Sequence, residues 1–193
     1  MREIASAFGL AEDLSIISNN LEKLFLSAIE NQYDIVCVCL GTSNILGDSF
    51  GPLMGNNLTA QKLPVFVYGT TQSNVDASNL NATLKLINMV HSKAYIIVLD
   101  ALSTTDCTTV GNIVLSNQYI GLNPKVKVFA DLFIYGTTTF VSPVRHNLYA
   151  KLNLINTMCN NLTKCFAYSL NNALRKNKLK FLEKCVLAEL KTN

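Results

Sequence analysis

Tryptophan is absent from this 193-residue chain, and only 15% of its residues are charged against 49% hydrophobic. That balance excludes a disordered segment, which needs high charge and few apolar residues. Long hydrophobic runs are missing too: none approaches the roughly 18–20 residues that span a bilayer. The opening Met1-Arg2-Glu3-Ile4 has no apolar signal-peptide core, so neither a membrane partner nor export is expected. The six cysteines (37, 39, 107, 159, 165, 185) form no C-x-x-C pair and no zinc-ligand spacing, and are read as reduced thiols in a cytosol. None has the electropositive helix-start context of a nucleophilic thiol. No Walker lysine, no G-x-G-x-x-G and no G-x-S-x-G elbow occurs, which argues against nucleotide binding and serine catalysis.

Positive charge is also scarce over most of the chain. From Arg175 to Asn193 there are six Lys/Arg against two Glu, a local +4 that leaves residues 1–174 near −1. A nucleic-acid-binding face is therefore not expected on the main body. The basic tail reads as a helix, solvated and packed as a lid on the sheet, or in contact with an acidic partner or another subunit. A homo-oligomer stays open on that ground.

What is present is alternation. Residues 11 to about 31 carry Leu14, Ile17, Leu21, Leu24, Phe25 and Ile29 at helical spacing. A strand at about 33–40 follows, then a loop to Asp48 and a helix to about 63 with Pro52 in its first turn. A strand at 65–68, a helix at about 75–90 and a strand at 95–99 continue the pattern. A polar loop at 103–109 and a strand at 111–116 come next. An apolar stretch at 125–135 then leads to a loop opened by Gly136-Thr137-Thr138-Thr139. A long helix from near Pro143 and a second at about 176–192, with Leu179, Leu182, Val186 and Leu190 on one stripe, complete the chain. Such alternation predicts a single α/β domain, a three-layer α/β/α sandwich with a mainly parallel sheet.

In such a sheet, ligands sit outside the carboxyl ends of the strands. Two strands end there with an acid nearby. Val36-Cys37-Val38-Cys39-Leu40 stops at Gly41, and the loop Thr42-Ser43-Asn44-Ile45-Leu46-Gly47 ends in Asp48-Ser49. Tyr95-Ile96-Ile97-Val98-Leu99 ends in Asp100. As parallel neighbours, these strands turn Asp48 and Asp100 toward one crevice. Two carboxylates there can divide labour, one ionised and activating water, the other holding a proton for a leaving nitrogen. Alternatively, both hold a divalent cation that acidifies a bound water. Each acid also has a plainer reading: Asp48 as the N-cap of the next helix, Asp100 as an acceptor for loop amides. Asp76 and Asn79 follow the next strand on the same edge and line the cleft, or cap the 75–90 helix. His91 lies at the opposite edge. His146 falls on the correct edge as a third ligand or base, or as an exposed helix-start histidine. Asp131, inside an apolar stretch, needs a partner.

At these residues the chain resembles the YyaC family of sporulation proteins, which is related to the germination proteases of spores and, more distantly, to hydrogenase maturation proteases. The matching pieces are Cys39-Leu40-Gly41-Thr42, Gly47-Asp48-Ser49-Phe50-Gly51-Pro52-Leu53, Val67-Tyr68-Gly69-Thr70, Ala77-Ser78-Asn79-Leu80, Leu99-Asp100-Ala101, Val110-Gly111, and Asp131 ahead of Gly136. They run in family order over about 40–140. The resemblance implies a phosphorylase/hydrolase-like fold and a peptidase acting on a protein or peptide substrate. It implies action in the cytoplasm of a forespore or mother cell. In the implied site, Asp48 and Asp100 carry the chemistry, with a divalent metal in some relatives, and Asp131 assists. Gly41, Thr42, Ser43, Ser49, Asn79 and Gly136 shape the substrate cleft. Ser43 and Asp76 stand where that family commonly has Asp and often His. Those replacements motivate the alternative, a non-catalytic protein that keeps the fold and binds a peptide or protein partner.

Overall fold

Four parallel strands form one half of the sheet, out to one edge, and the two that lead to the acids are neighbours. The computed structural model describes residues 4–6, 11–120, 129–144 and 147–192. The elements are β1 (Ile4–Ser6), α1 (Ala11–Glu30), β2 (Asp34–Cys39), α2 (Phe50–Ala60), β3 (Phe66–Tyr68), α3 (Leu80–Val90), β4 (Ala94–Thr104), β5 (Ile113–Ser116), β6 (Leu132–Val141), β7 (Leu148–Ala150) and α4 (Leu152–Thr192). The sheet runs β1-β5-β6-β4-β2-β3, with β7 beside β6. Strands β3, β2, β4 and β6 are parallel. Strands β1, β5 and β7 join antiparallel. This is an α/β fold with a mostly parallel sheet.

Side-chain alternation along the strands sorts the core into two halves. Cys37, Cys39, Ile97, Leu99 and Ile134 face α1, α2 and α4, whereas Val36, Val38, Val98, Phe133 and Tyr135 face α3. On the first face Ile17, Leu21 and Phe25 form the apolar stripe that the helical spacing predicts, and Phe25 meets Phe166 of α4 with ring centroids 4.7 Å apart. Among the described residues no helix is long and apolar enough to cross a membrane. Cys37, Cys39, Cys107, Cys159 and Cys165 are free thiols.

Several boundaries differ from expectation. Helix α3 begins at Leu80 rather than near 75, because Val75 bridges Leu40 as a sheet residue and Asp76 ties Ser78 into a side-chain turn. Strand β4 does not end at Asp100 but runs to Thr104, since β6 continues through Gly136 to Val141 and pairs with it. The threonines expected to open a loop are therefore buried strand residues, a state that suits their branched Cβ. The long helix starts at Leu152, after β7, and is one unbroken 41-residue helix with no second helix at 176. Its buried stripe ends at Ala173, and Leu179 and Leu182 are exposed rather than packed on the sheet. Val186 and Leu190 lie outside the described side chains.

Helix α2 rests directly on backbone. A Cβ on Gly51 would fall 1.9 Å from the Leu40 carbonyl oxygen, and one on Gly55 would fall 1.8 Å from that of Gly69. Those oxygens belong to the chain itself and cannot rotate away as a side chain would. Gly51→Ala is expected to destabilise by about 3 kcal/mol, the upper part of the overpacking range. A urea midpoint indistinguishable from wild type would show that the helix can lift off the strand freely.

Candidate active site at the carboxyl rim of the sheet

The chain leaves β2 toward β3 through α2 on one face, then returns across β2 to β4 through α3 on the other. The rim between β2 and β4 is thus a topological switch point, the place where open α/β sheets leave a crevice. The Leu40 N–H still donates to the Leu99 carbonyl at 2.8 Å, so Gly41 stands beside Asp100 and Ala101. Gly41 then turns the chain with φ +128, and its bare Cα accommodates Asp48: an added Cβ would lie 3.2 Å from the Asp48 carboxyl carbon. Only glycine meets both demands without strain.

Asp48 closes a 3-10 turn, Leu46–Asp48. It does not cap α2, whose N-cap is Ser49. Its carboxylate reaches back instead, accepting from the Thr42 N–H at 2.8 Å. The turn is anchored from β6, where Thr138 Oγ1 donates to the Gly47 carbonyl at 2.5 Å. Burial pushes the Asp48 carboxyl above the usual range, opposed by the Thr42 N–H and aided by the charge of Asp76. Asp48 lines a cavity of about 370 Å³ with Ile45, Leu46, Ala101, Ser103, Thr139 and Leu148.

Asp100 is half-buried within β4, in register with Tyr135 and accepting from the Ala101 N–H at 2.8 Å. Burial first, and then the charge of Asp48, raise its carboxyl to about 7, against a lowering by that N–H. By alternation its side chain leaves the strand on the α3 face, with Val98, whereas Ala101 and Ser103 line the cavity. The two acids therefore share the rim and feel each other's charge without lining one pocket. Tyr119, whose phenol is raised by burial and by Asp100, stands on the same side as Asp100.

Other expected residues fall into three groups. Thr42 and Ser43 stay at the mouth, Ser43 exposed. Gly41, Ser49 and Gly136 are buried: Ser49 donates to the Leu46 carbonyl at 2.7 Å, and a Cβ on Gly136 would press on the Phe50 ring at 2.6 Å. Asn79 spends its amide bracing the loop, accepting from the Asp76 N–H and donating to the Asn74 carbonyl. Asp131 is a correction. It is exposed and lies outside the strand, at the start of β6, exchanging hydrogen bonds with Ile96 (2.7 and 2.9 Å). Four residues of strand, roughly 13 Å, separate that level from Asp100, so Asp131 cannot assist there. His91 is at the far edge, as expected, buried between Asp34 (2.9 Å) and the Tyr68 hydroxyl (3.0 Å). His146 lies outside the described residues.

Sequence reasoning missed Asn74, Ser103, Thr138 and Thr139. Asn74 donates to Thr42 Oγ1 at 3.4 Å and leaves its buried Oδ1 without a partner, an acceptor open to a bound group. No motif marks a single asparagine in a loop; the threonines announced themselves only as β-branched residues. Among the described residues no three of His, Cys, Asp and Glu gather into a metal-ligand set. Cysteine catalysis does not fit, since burial pushes the Cys37 and Cys159 thiols up to about 12.

The raised Asp100 carboxyl ties stability to pH. Unfolded, the group loses its proton near 4; folded, it keeps it to about 7. The native state then binds the extra proton, so stability is full below about 4 and falls as pH rises to about 7, by on the order of 3–4 kcal/mol. Asp100→Asn stays neutral throughout. Its urea midpoint should match wild type at pH 4 and exceed it at pH 8; an equal offset at both would contradict this assignment.

The arrangement can be set beside known proteins. The model of a family described as "Protein of unknown function (DUF1256)" matches residues 10–165. The "Uncharacterized protein YyaC" of Bacillus subtilis (strain 168) is 28% identical over 157 residues, covering 78% of this chain and 76% of that protein. The family match runs from the edge of α1 into the first third of α4 and takes in both rim acids, and by it this chain belongs to the DUF1256 family.

Proposed function

We propose that this protein is a hydrolase of the germination-protease type, cleaving peptide bonds in a narrow class of protein substrates, with Asp48 as base and Asp100 as its proton-holding partner. The observation that carries the reading is the pair at the rim: Asp48 stands at a cavity wall, while its neighbour Asp100 keeps a proton to about 7. An ionised Asp48 beside a protonated Asp100 is the state that general acid–base hydrolysis needs. Asp48 takes a proton from water as the water adds to the carbonyl carbon. The leaving nitrogen is then protonated from the pair as the C–N bond breaks. Asn74 Oδ1 offers an acceptor to a substrate N–H. Kinship with sporulation proteins points to the cytoplasm of a forespore or mother cell as the place of action.

A second reading, a peptide-binding protein without chemistry, is favoured by one observation: Ala101 and Ser103, not Asp100, line the cavity. Purified protein incubated with small spore proteins separates the two. Under the first reading, Asp48→Asn lowers the cleavage rate at least ~100-fold, and wild-type activity declines as pH rises past about 7, where Asp100 loses its proton. Unchanged cleavage in Asp48→Asn rejects the base. Stable peptide binding without any cleavage, untouched by that substitution, selects the second reading.

A further inference from the structure

We infer that the β3 edge of the sheet, together with the adjoining flank of α3, is a surface through which two copies of this chain pair about a two-fold axis. Strand β3 ends the sheet and, among the described residues, pairs only with β2, so its outer row of N–H and C=O groups has no strand partner there. Sheet edges are usually guarded by charge, proline or a bulge. This one reads Phe66-Val67-Tyr68, with no charge, and Phe66 is 47% exposed.

Helix α3 adds to the same side. Leu84 and Ile87 turn inward, and Asn81, Lys85 and Asn88 line a groove with Ile96 and Phe129, toward β4. The opposite flank, carrying Leu86 and Val90, must then look toward β3, with Met89 between the flanks and outward. Contacts bear this out: His91, next to Val90, stacks on Phe66 with ring centroids 4.3 Å apart. Met89 is 84% exposed and Val90 59%. Asp34 holds His91 on this same face, so the ring that meets Phe66 is fixed in place.

Size and charge select the occupant. Phe66, Leu86, Met89 and Val90 together expose on the order of 450 Å², within the range of a monomer's largest apolar patch. Two such patches face to face bury about 900 Å², close to the apolar share of a standard ~1,600 Å² interface. The only charge on α3, Lys85, lies on the far flank, and the border residues Asp34 and Lys93 have opposite signs. The apolar flank that would self-pair, β3 with Leu86, Met89 and Val90, carries no charge of its own. An antiparallel strand edge is also its own complement, so β3 meeting β3 would make one fourteen-stranded sheet from two seven-stranded ones. A further exposed apolar group, Leu179, Phe181 and Leu182, sits in the +4 tail, where two copies would repel.

Sedimentation velocity on the full chain tests this. Wild type at tens of micromolar should sediment near twice its 21.2 kDa mass. Met89→Glu, alone and with Leu86→Glu, should weaken dimerisation at least ~30-fold and give monomer with an unchanged circular dichroism spectrum; Leu182→Glu should leave the dimer intact. Amide exchange at 66–68 should slow with concentration in wild type only. A monomer at every concentration, a dimer indifferent to Met89→Glu, or a dimer lost through Leu182→Glu would overturn the proposal, the last assigning the interface to α4.

Discussion

The closeness of α2 to the ends of β2 and β3 is the constraint on which the site depends. Helices ordinarily sit on sheets through side chains; here two glycines one turn apart let the helix backbone touch strand carbonyls. Glycine is costly within a helix, by up to about 1 kcal/mol each against alanine. Burial of Phe50, Met54 and Leu58 beside them offsets that cost. The consequence is positional. With α2 held that low, the turn before it is drawn over the end of β2, and Asp48 has nowhere to rest except on Gly41.

The inequality of the two acids follows from strand lengths. Strand β2 stops at Cys39, whereas β4 and β6 run on together to Thr104 and Val141. Asp100 therefore keeps β6 beside it past the end of β2 and is half-buried, and burial is the main reason its proton is held. Asp48 stands in the gap that β2 leaves, open on the cavity side, with a backbone N–H to stabilise its charge. Both carboxyls are raised first by burial and each is partly compensated by one backbone N–H, but the charge of Asp48 adds to the rise at Asp100, while that of Asp76 acts on Asp48.

Much of the fold was legible because buried parallel strands read as unbroken apolar runs. Residues 36–40 and 95–99 announced themselves that way, as did the stripe of α1. Where a strand continued in polar residues the reading stopped short: Asp100 looked like an end, and Thr137–Thr139 looked like a loop, because their burial depends on pairing between β4 and β6 that no local pattern shows. Asp131 misled for a related reason. Its apolar neighbours suggested a buried strand interior, yet the register begins one residue later. The motif around Asp48 was visible; the face on which Asp100 emerges was not, since alternation gives opposite faces only after the strand's partners are known. The second helix expected at about 176–192 is the continuation of α4. Its expected packing failed because residues 179 and 182 keep helical spacing beyond the last buried contact, and spacing alone cannot tell a packed stripe from an uncovered one.

The rim and the β3 edge impose independent demands, which is why one fold can meet both. A crevice at the switch point needs loops diverging along the strand axis; an open edge needs only that the last strand lack a neighbour in the hydrogen-bonding direction. These directions are perpendicular. Because β2 separates β3 from β4, side chains added outside β3 meet the α3 flank rather than the Asp48 turn. An antiparallel pairing would also point the two carboxyl rims in opposite directions, so each crevice keeps its own approach for a peptide. Changes at the edge can then alter assembly without moving the acids. The Gly51 and Gly55 contacts cannot be altered so freely, because the same backbone approach that seats α2 also positions Asp48.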